Sequence, residues 1–344
     1  MTEQMGAEQM RADQMRAWRA GENAGSVEQT SSPIPELAAD EVLVKVQASG
    51  LCRTDLHVID HDLPVHLPGV IPGHQVVGTV VDRGAGVRTL AQGATVGVAW
   101  LRRTCGVCEW CRSGAENLCP RSEYTGWDAD GGFAEFVAVP EGYAYPLPSD
   151  VDPVETAPLL CAGIIGFRAL MRANLPPGGR LGIYGFGSSA HITAQVAMGS
   201  GARVYAMTRG ERNRQLAREL NVEFVGGEAD EPPDPLDAAI VFAPAGSLVP
   251  VALRATRAGG TVVLAGIHMS DVPELVYEST LFHERDLRTV TANTRNDGSQ
   301  FLRVASSLGI RPTVTRLSFD DLARGLADLR EGRASGSLVM VPGP

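Results

Sequence analysis

Lysine is all but missing from this chain. Lys45 is the only one, so arginine supplies the other 29 of the 30 basic residues, a bias that GC-rich codon usage explains. There is no basic excess either. The 40 acidic residues outweigh the 30 basic ones for a net charge of −10, which argues against non-specific binding to nucleic acid or anionic membranes. No apolar run reaches the ~18 residues that a transmembrane helix needs. The polar N-terminus lacks the apolar stretch of a secretory signal, so a reducing cytoplasm is the expected compartment. Cysteine is scarce. Six in 344 residues are too few for a disulfide scaffold, and a chain of this length buries a large core without crosslinks.

What is present is unevenly arranged. Residues 1–14 are polar and rich in Met and Gln, and read as a disordered extension. From Glu41 to about Pro148 the texture is β-type: Val42, Val44 and Val46 alternate with Leu43, Lys45 and Gln47, and Val76–Val81 and Phe136–Val139 read as further strands between Gly- and Pro-rich turns. After Pro153 short apolar runs at Leu181–Tyr184, Val204–Met207, Ala238–Phe242 and Thr261–Ala265 alternate with helical stretches from about Ser188 and over Glu211–Leu220. That alternation predicts a parallel α/β sheet. The last fifty or so residues return to mixed texture and close on a strand at Ser337–Val341. One domain inserted into another fits this order.

Two motifs carry chemistry on their own spacing. Cys105, Cys108, Cys111 and Cys119 fall within one short loop, and four thiolates suit a tetrahedral zinc. Such a site has no open position, so its role is structural. Gly185-x-Gly187-x-x-Ala190, at a strand-to-helix junction with Ser188 opening the helix, is a dinucleotide fingerprint: the glycines let the pyrophosphate approach the backbone at a helix N-terminus. NAD-binding chains place Asp or Glu at the end of the next strand. Here Thr208 and Arg209 stand there, with Arg212 and Arg214 near, so NADP(H) is favoured over NAD(H).

With these motifs, the segments around Cys52, His74 and Cys161 make the sequence resemble the zinc-dependent alcohol dehydrogenases of the medium-chain dehydrogenase/reductase family, from about Met15 to the C-terminus. The resemblance implies a GroES-like catalytic domain (residues 15–160 and 295–344) with a Rossmann doubly wound parallel sheet (161–294) inserted, and the active site in the cleft between them. It implies a catalytic zinc on Cys52, His74 and Cys161 with a fourth position for substrate oxygen, one structural zinc besides, and a Thr54–His57 proton relay. Asp55 is expected to orient His74. Arg53 and Arg295 resemble the arginines that reach the pyrophosphate, and Trp100 and Trp127 the walls of the substrate pocket. Gln75 departs from the usual Glu after the ligand histidine and removes a negative charge beside the metal. The reaction implied is hydride transfer between a small alcohol and the nicotinamide, or reduction of an aldehyde or ketone in reverse, by a homotetramer or homodimer. A polyol or cinnamyl-alcohol-type dehydrogenase would keep the same motifs. A zinc-free quinone reductase would lack the ligands, and a non-catalytic redox sensor would not need the relay. His61, His66, His191, His268 and His283 carry no motif and read as structural or surface residues.

Overall fold

The computed structural model describes residues 13–343; the expected disorder of the N-terminal extension falls, as far as residue 12, outside the described residues. The first strand among the described residues, Gln14–Ala20, takes in Gln14 of the expected extension and pairs antiparallel with Val27–Pro33. The chain divides into two compact units: residues 1–160 with 316–333 and 338–344, and residues 161–315 with 334–337.

The first unit is built on a seven-stranded sheet around Glu41–Leu51. That strand pairs antiparallel with Val76–Arg83, Phe136–Pro140 and Ser337–Val341; the sheet continues through Thr95–Val98 and Ala144–Pro146 beyond Val76–Arg83, and through Val314–Ser318 beyond Ser337–Val341. The period-two valines do what a half-buried strand requires: Val42, Val44 and Val46 turn inward and meet Val76, Val80, Val96, Val98, Val137 and Val139 in one apolar core. β-branched side chains suit the pleat and fill this core densely.

The second unit holds a six-stranded, all-parallel sheet. In spatial order its strands are Phe224–Gly226, Arg203–Met207, Arg180–Tyr184, Leu236–Val241, Thr256–Leu264 and Asp286–Thr289. The central strands Arg180–Tyr184, Arg203–Met207 and Leu236–Val241 are apolar on both faces over most of their length because both are covered. Leu181, Ile183, Val204, Ala206, Ala238 and Ile240 meet Ala190, Ala194, Ala197 and Leu216 of the helices Ser188–Gly199 and Glu211–Glu219. Tyr184, Tyr205, Met207, Ala239 and Val241 meet Leu248, Val249, Ala252 and Leu253 of the helix Leu248–Ala255 on the opposite face. The strand order reverses between Arg180–Tyr184 and Leu236–Val241, the point where such sheets bind ligands.

The crossing into the first unit comes after Thr315 and not at 295. The helix Arg295–Leu308 stays with the second unit because its fully buried Phe301 seats against Phe167 at a ring separation of 5.7 Å, in the space that Gly163 leaves open. Among the described residues no single helix is long and apolar enough to cross a membrane.

Candidate metal centres and dinucleotide site

Cys52 is the N-cap of the helix Arg53–Ile59. Its Sγ accepts from the Thr54 backbone N–H at 3.5 Å, and the Thr54 hydroxyl lies 3.6 Å away. Asp55 completes a capping box, its Oδ2 accepting from the Cys52 N–H at 2.8 Å. The other oxygen, Oδ1, accepts from the Gly73 N–H at 3.1 Å and faces His74 Nδ1 at 3.0 Å. One buried carboxylate therefore fixes a thiol, a loop and an imidazole. Cys161 directly follows Leu160, the last residue of the first unit's main segment, and Leu160 is fully buried. The ligand atoms of Cys52, His74 and Cys161 all lie within 4.8 Å of one another.

The donor set fits a zinc ion. His74 is completely buried, and its Nε2 has no hydrogen-bond partner, an arrangement that is costly unless the nitrogen has another use. Burial pushes the His74 imidazole down, but the neighbouring Asp55 and Cys52 outweigh it and lift it to about 10. The pocket favours positive charge there, which a divalent cation on two sulfurs and one imidazole supplies. Gln75 is buried next to His74, and its amide lies against the space left by Gly50.

The four remaining cysteines also gather within 4.8 Å. Cys111 Sγ lies 3.5 Å from Cys108 Sγ and 3.9 Å from Cys105 Sγ. Backbone N–H groups of Cys108, Cys105 and Arg121 point at the sulfurs of Cys105, Cys119 and Cys119 at 3.4, 3.5 and 3.4 Å. The backbone N–H of Val107, and after it that of Cys108, hold the Cys105 thiol down at about 5. None of the six cysteines is in a disulfide. A loop that aims N–H groups at four clustered sulfurs is a cradle for thiolates, and the set fits a closed tetrahedral zinc.

Of the groups that surround these atoms, the sequence marked Trp100 and Trp127 but not Asp62 or Tyr124. His57 Nδ1 meets Asp62 Oδ2 at 2.8 Å, and Asp62 reaches solvent. Trp100 is buried, its ring edge-on to His74 at 4.8 Å, and it stacks with Tyr124 at 5.0 Å and Trp127 at 5.8 Å. Trp127 in turn stacks on His66 at 4.0 Å, and His66 Nδ1 is 2.7 Å from Asp128. The aromatic wall thus runs from His74 outward to an exposed histidine. The resemblance had pointed to Trp100 and Trp127, and the structure adds Tyr124 and His66 to them.

In the second unit, Gly185 takes φ +87°, and a Cβ there would lie 2.8 Å from the Ala243 nitrogen, so only glycine fits. Gly187 caps the helix Ser188–Gly199, and a Cβ on it would meet nothing within 4 Å: the space a phosphate needs is open. Ala190 is fully buried where helix meets sheet. These residues fit a dinucleotide pyrophosphate. Thr208 is buried, and its hydroxyl accepts from the Phe186 N–H at 3.1 Å, so it braces the glycine turn. Arg209 is largely exposed and pairs with Glu228 at 3.0 Å. Arg53 and Arg295 are exposed, each the first residue of its helix.

Comparison with known proteins agrees with fold and site. The alcohol dehydrogenase GroES-like domain family matches residues 38–149, and the zinc-binding dehydrogenase family matches residues 190–307. The chain belongs to the zinc-binding alcohol dehydrogenases of the medium-chain dehydrogenase/reductase family, a class of oxidoreductases. It is 53% identical to the probable alcohol dehydrogenase AdhA of Mycobacterium tuberculosis, covering 93% of this chain and 94% of that one. It is 34% identical to an alcohol dehydrogenase of Geobacillus stearothermophilus, over 89% and 93%. Among solved structures, a Sinorhizobium meliloti protein described as a zinc-binding dehydrogenase, bound to NADP, superposes with a TM-score of 0.85 at 29% identity, covering 96% and 99%.

Proposed function

We propose that this enzyme interconverts small alcohols and their aldehydes or ketones, using a catalytic zinc on Cys52, His74 and Cys161 and a nicotinamide dinucleotide. The observation that carries the reading is the meeting of two thiols and the buried, unpartnered His74 Nε2 from segments far apart in the chain. A zinc ion there supplies a Lewis acid that lowers the pKa of an alcohol. The protein's own groups move the proton. The Thr54 hydroxyl beside Cys52 takes it, and His57, one turn along the same helix, receives it. Asp62 engages His57 Nδ1, so the relayed proton enters at Nε2, and Asp62 opens the way to solvent. The buried Trp100 walls the side of the site by His74 and keeps water from it.

The four-cysteine loop holds a second, structural zinc. The first unit is the catalytic domain, and the second binds the cofactor through Gly185, Gly187, Ser188 and Ala190, with Arg53 and Arg295 supplying positive charge to the pyrophosphate. NADP(H) is favoured over NAD(H): Thr208 presents no carboxylate to the ribose, and Arg209 can exchange Glu228 for a 2′-phosphate. Exposed Ile267, Val276, Tyr277 and Phe282 give a homodimer or homotetramer a surface to bury. The test is an alcohol panel with zinc-loaded enzyme and both cofactors. Turnover with NADP+ at higher kcat/KM than with NAD+ is expected; no turnover on any alcohol overturns the reading, and a clear NAD+ preference overturns the cofactor choice alone.

A further inference from the structure

His191 lies in the helix Ser188–Gly199 and is fully buried, so no ligand touches it. Both ring nitrogens are nevertheless committed. Nε2 accepts from the Thr313 N–H at 3.1 Å, which puts the ring proton on Nδ1, and Nδ1 lies 3.2 Å from the Gly187 carbonyl oxygen. Only the neutral ring satisfies both contacts, and burial keeps it neutral by pushing the imidazole down to about 4. The same stretch is tied to the helix elsewhere. Gln195 exchanges two hydrogen bonds with the Arg311 backbone at 3.1 and 3.2 Å, and Ser188 Oγ lies 2.6 Å from Ser337 Oγ. Ser337 in turn donates its N–H to the Thr313 carbonyl at 2.9 Å. All these residues belong to the second unit.

The carbonyl of Gly187 and the N–H of Ser188 share one planar peptide unit, and no peptide bond here is cis, so the two groups point in opposite directions. The Gly187 carbonyl already accepts the His191 backbone N–H at 3.0 Å, the first bond of the helix, and the imidazole gives it a second hold from the side chain. With the carbonyl held into the helix from both, the Ser188 N–H is aimed outward at the helix N-terminus, where a pyrophosphate is held by such donors.

We propose that His191 is a positioning residue for the dinucleotide: its neutral imidazole, braced from behind by Thr313, fixes the Gly187–Ser188 peptide plane in the orientation that receives the pyrophosphate. The inference rests on the dinucleotide reading of the glycine turn. The experiment is fluorescence titration of the zinc-loaded enzyme with NADPH and with NADH, without alcohol, on His191→Leu, His191→Asn, His191→Gln and Gly187→Val. His191→Leu is expected to raise both Kd values about tenfold, as loss of a buried hydrogen bond does, while the KM for alcohol at saturating cofactor stays unchanged. Asparagine places its amide near Nδ1 and should restore most of the affinity, whereas glutamine, reaching toward Thr313, should restore less. A folded His191→Leu enzyme with wild-type Kd overturns the inference; should that variant fail to fold, asparagine binding more weakly than glutamine overturns it. Unchanged binding in Gly187→Val instead overturns the dinucleotide site itself.

Discussion

Replacing Asp55 by Asn keeps the shape of the side chain and removes one acceptor and one charge. Three groups depend on that carboxylate: the Cys52 N–H at 2.8 Å, the Gly73 N–H at 3.1 Å and His74 Nδ1 at 3.0 Å. An amide has one oxygen to offer. With the oxygen toward Cys52, its NH2 group faces the Gly73 N–H and His74 Nδ1, and the imidazole keeps a hydrogen bond only by moving its proton to Nε2, the atom needed for the metal. With the oxygen toward Gly73 and His74, the NH2 group faces the Cys52 N–H and the thiol loses its anchor. Either way one buried donor is stranded, which costs about 1–3 kcal/mol of stability. Loss of such an outer partner weakens metal binding by about 10–100-fold. Zinc bound per chain, followed against a competing chelator, should fall from two ions to one at a chelator concentration that leaves the wild type intact, because the four-cysteine loop is untouched. Activity should return as free zinc is raised. An Asn variant that keeps both ions through the same titration, at full kcat, refutes the argument.

Other outcomes follow from the same geometry. Cys108→Ser should lose the loop zinc alone and lower the melting temperature, since the loop's ordering depends on four sulfurs meeting; unchanged zinc content and stability would sink the structural assignment. Asp62→Asn should lower kcat for alcohol oxidation by less than the ~100-fold expected of His57→Ala, without weakening dinucleotide binding; a His57→Ala enzyme at full rate removes the relay. Stability should fall on acidification below the ordinary histidine range, because the unfolded chain takes up a proton at His191 that the folded chain refuses until about pH 4. The loss accumulates as pH falls to about 4, reaches roughly 3 kcal/mol, and then saturates. Urea unfolding at pH 7 and 4.5 should show a smaller decrease in His191→Leu than in the wild type.

The sequence by itself determined what is local. Four cysteines within one loop, two glycines and an alanine at a strand–helix turn, and valines at period two each act over a few residues, so spacing along the chain is already spacing in space. Cys52, Thr54, Asp55 and His57 likewise fall within one capped turn of helix. Tertiary structure decided what long-range packing brings together. It set Cys161 beside Cys52 and His74, put Asp62 on His57, and stacked Trp100, Tyr124, Trp127 and His66 into one wall. It kept the helix Arg295–Leu308 with the parallel sheet because Phe301 had a place to be buried there. It turned the Thr208 hydroxyl inward to the glycine turn, set Glu228 on Arg209, and gave His191, a histidine without a motif, two backbone partners. A side chain's partner across the fold depends on burial and on which neighbouring groups still need a donor or acceptor, and neither is fixed until the whole core has closed.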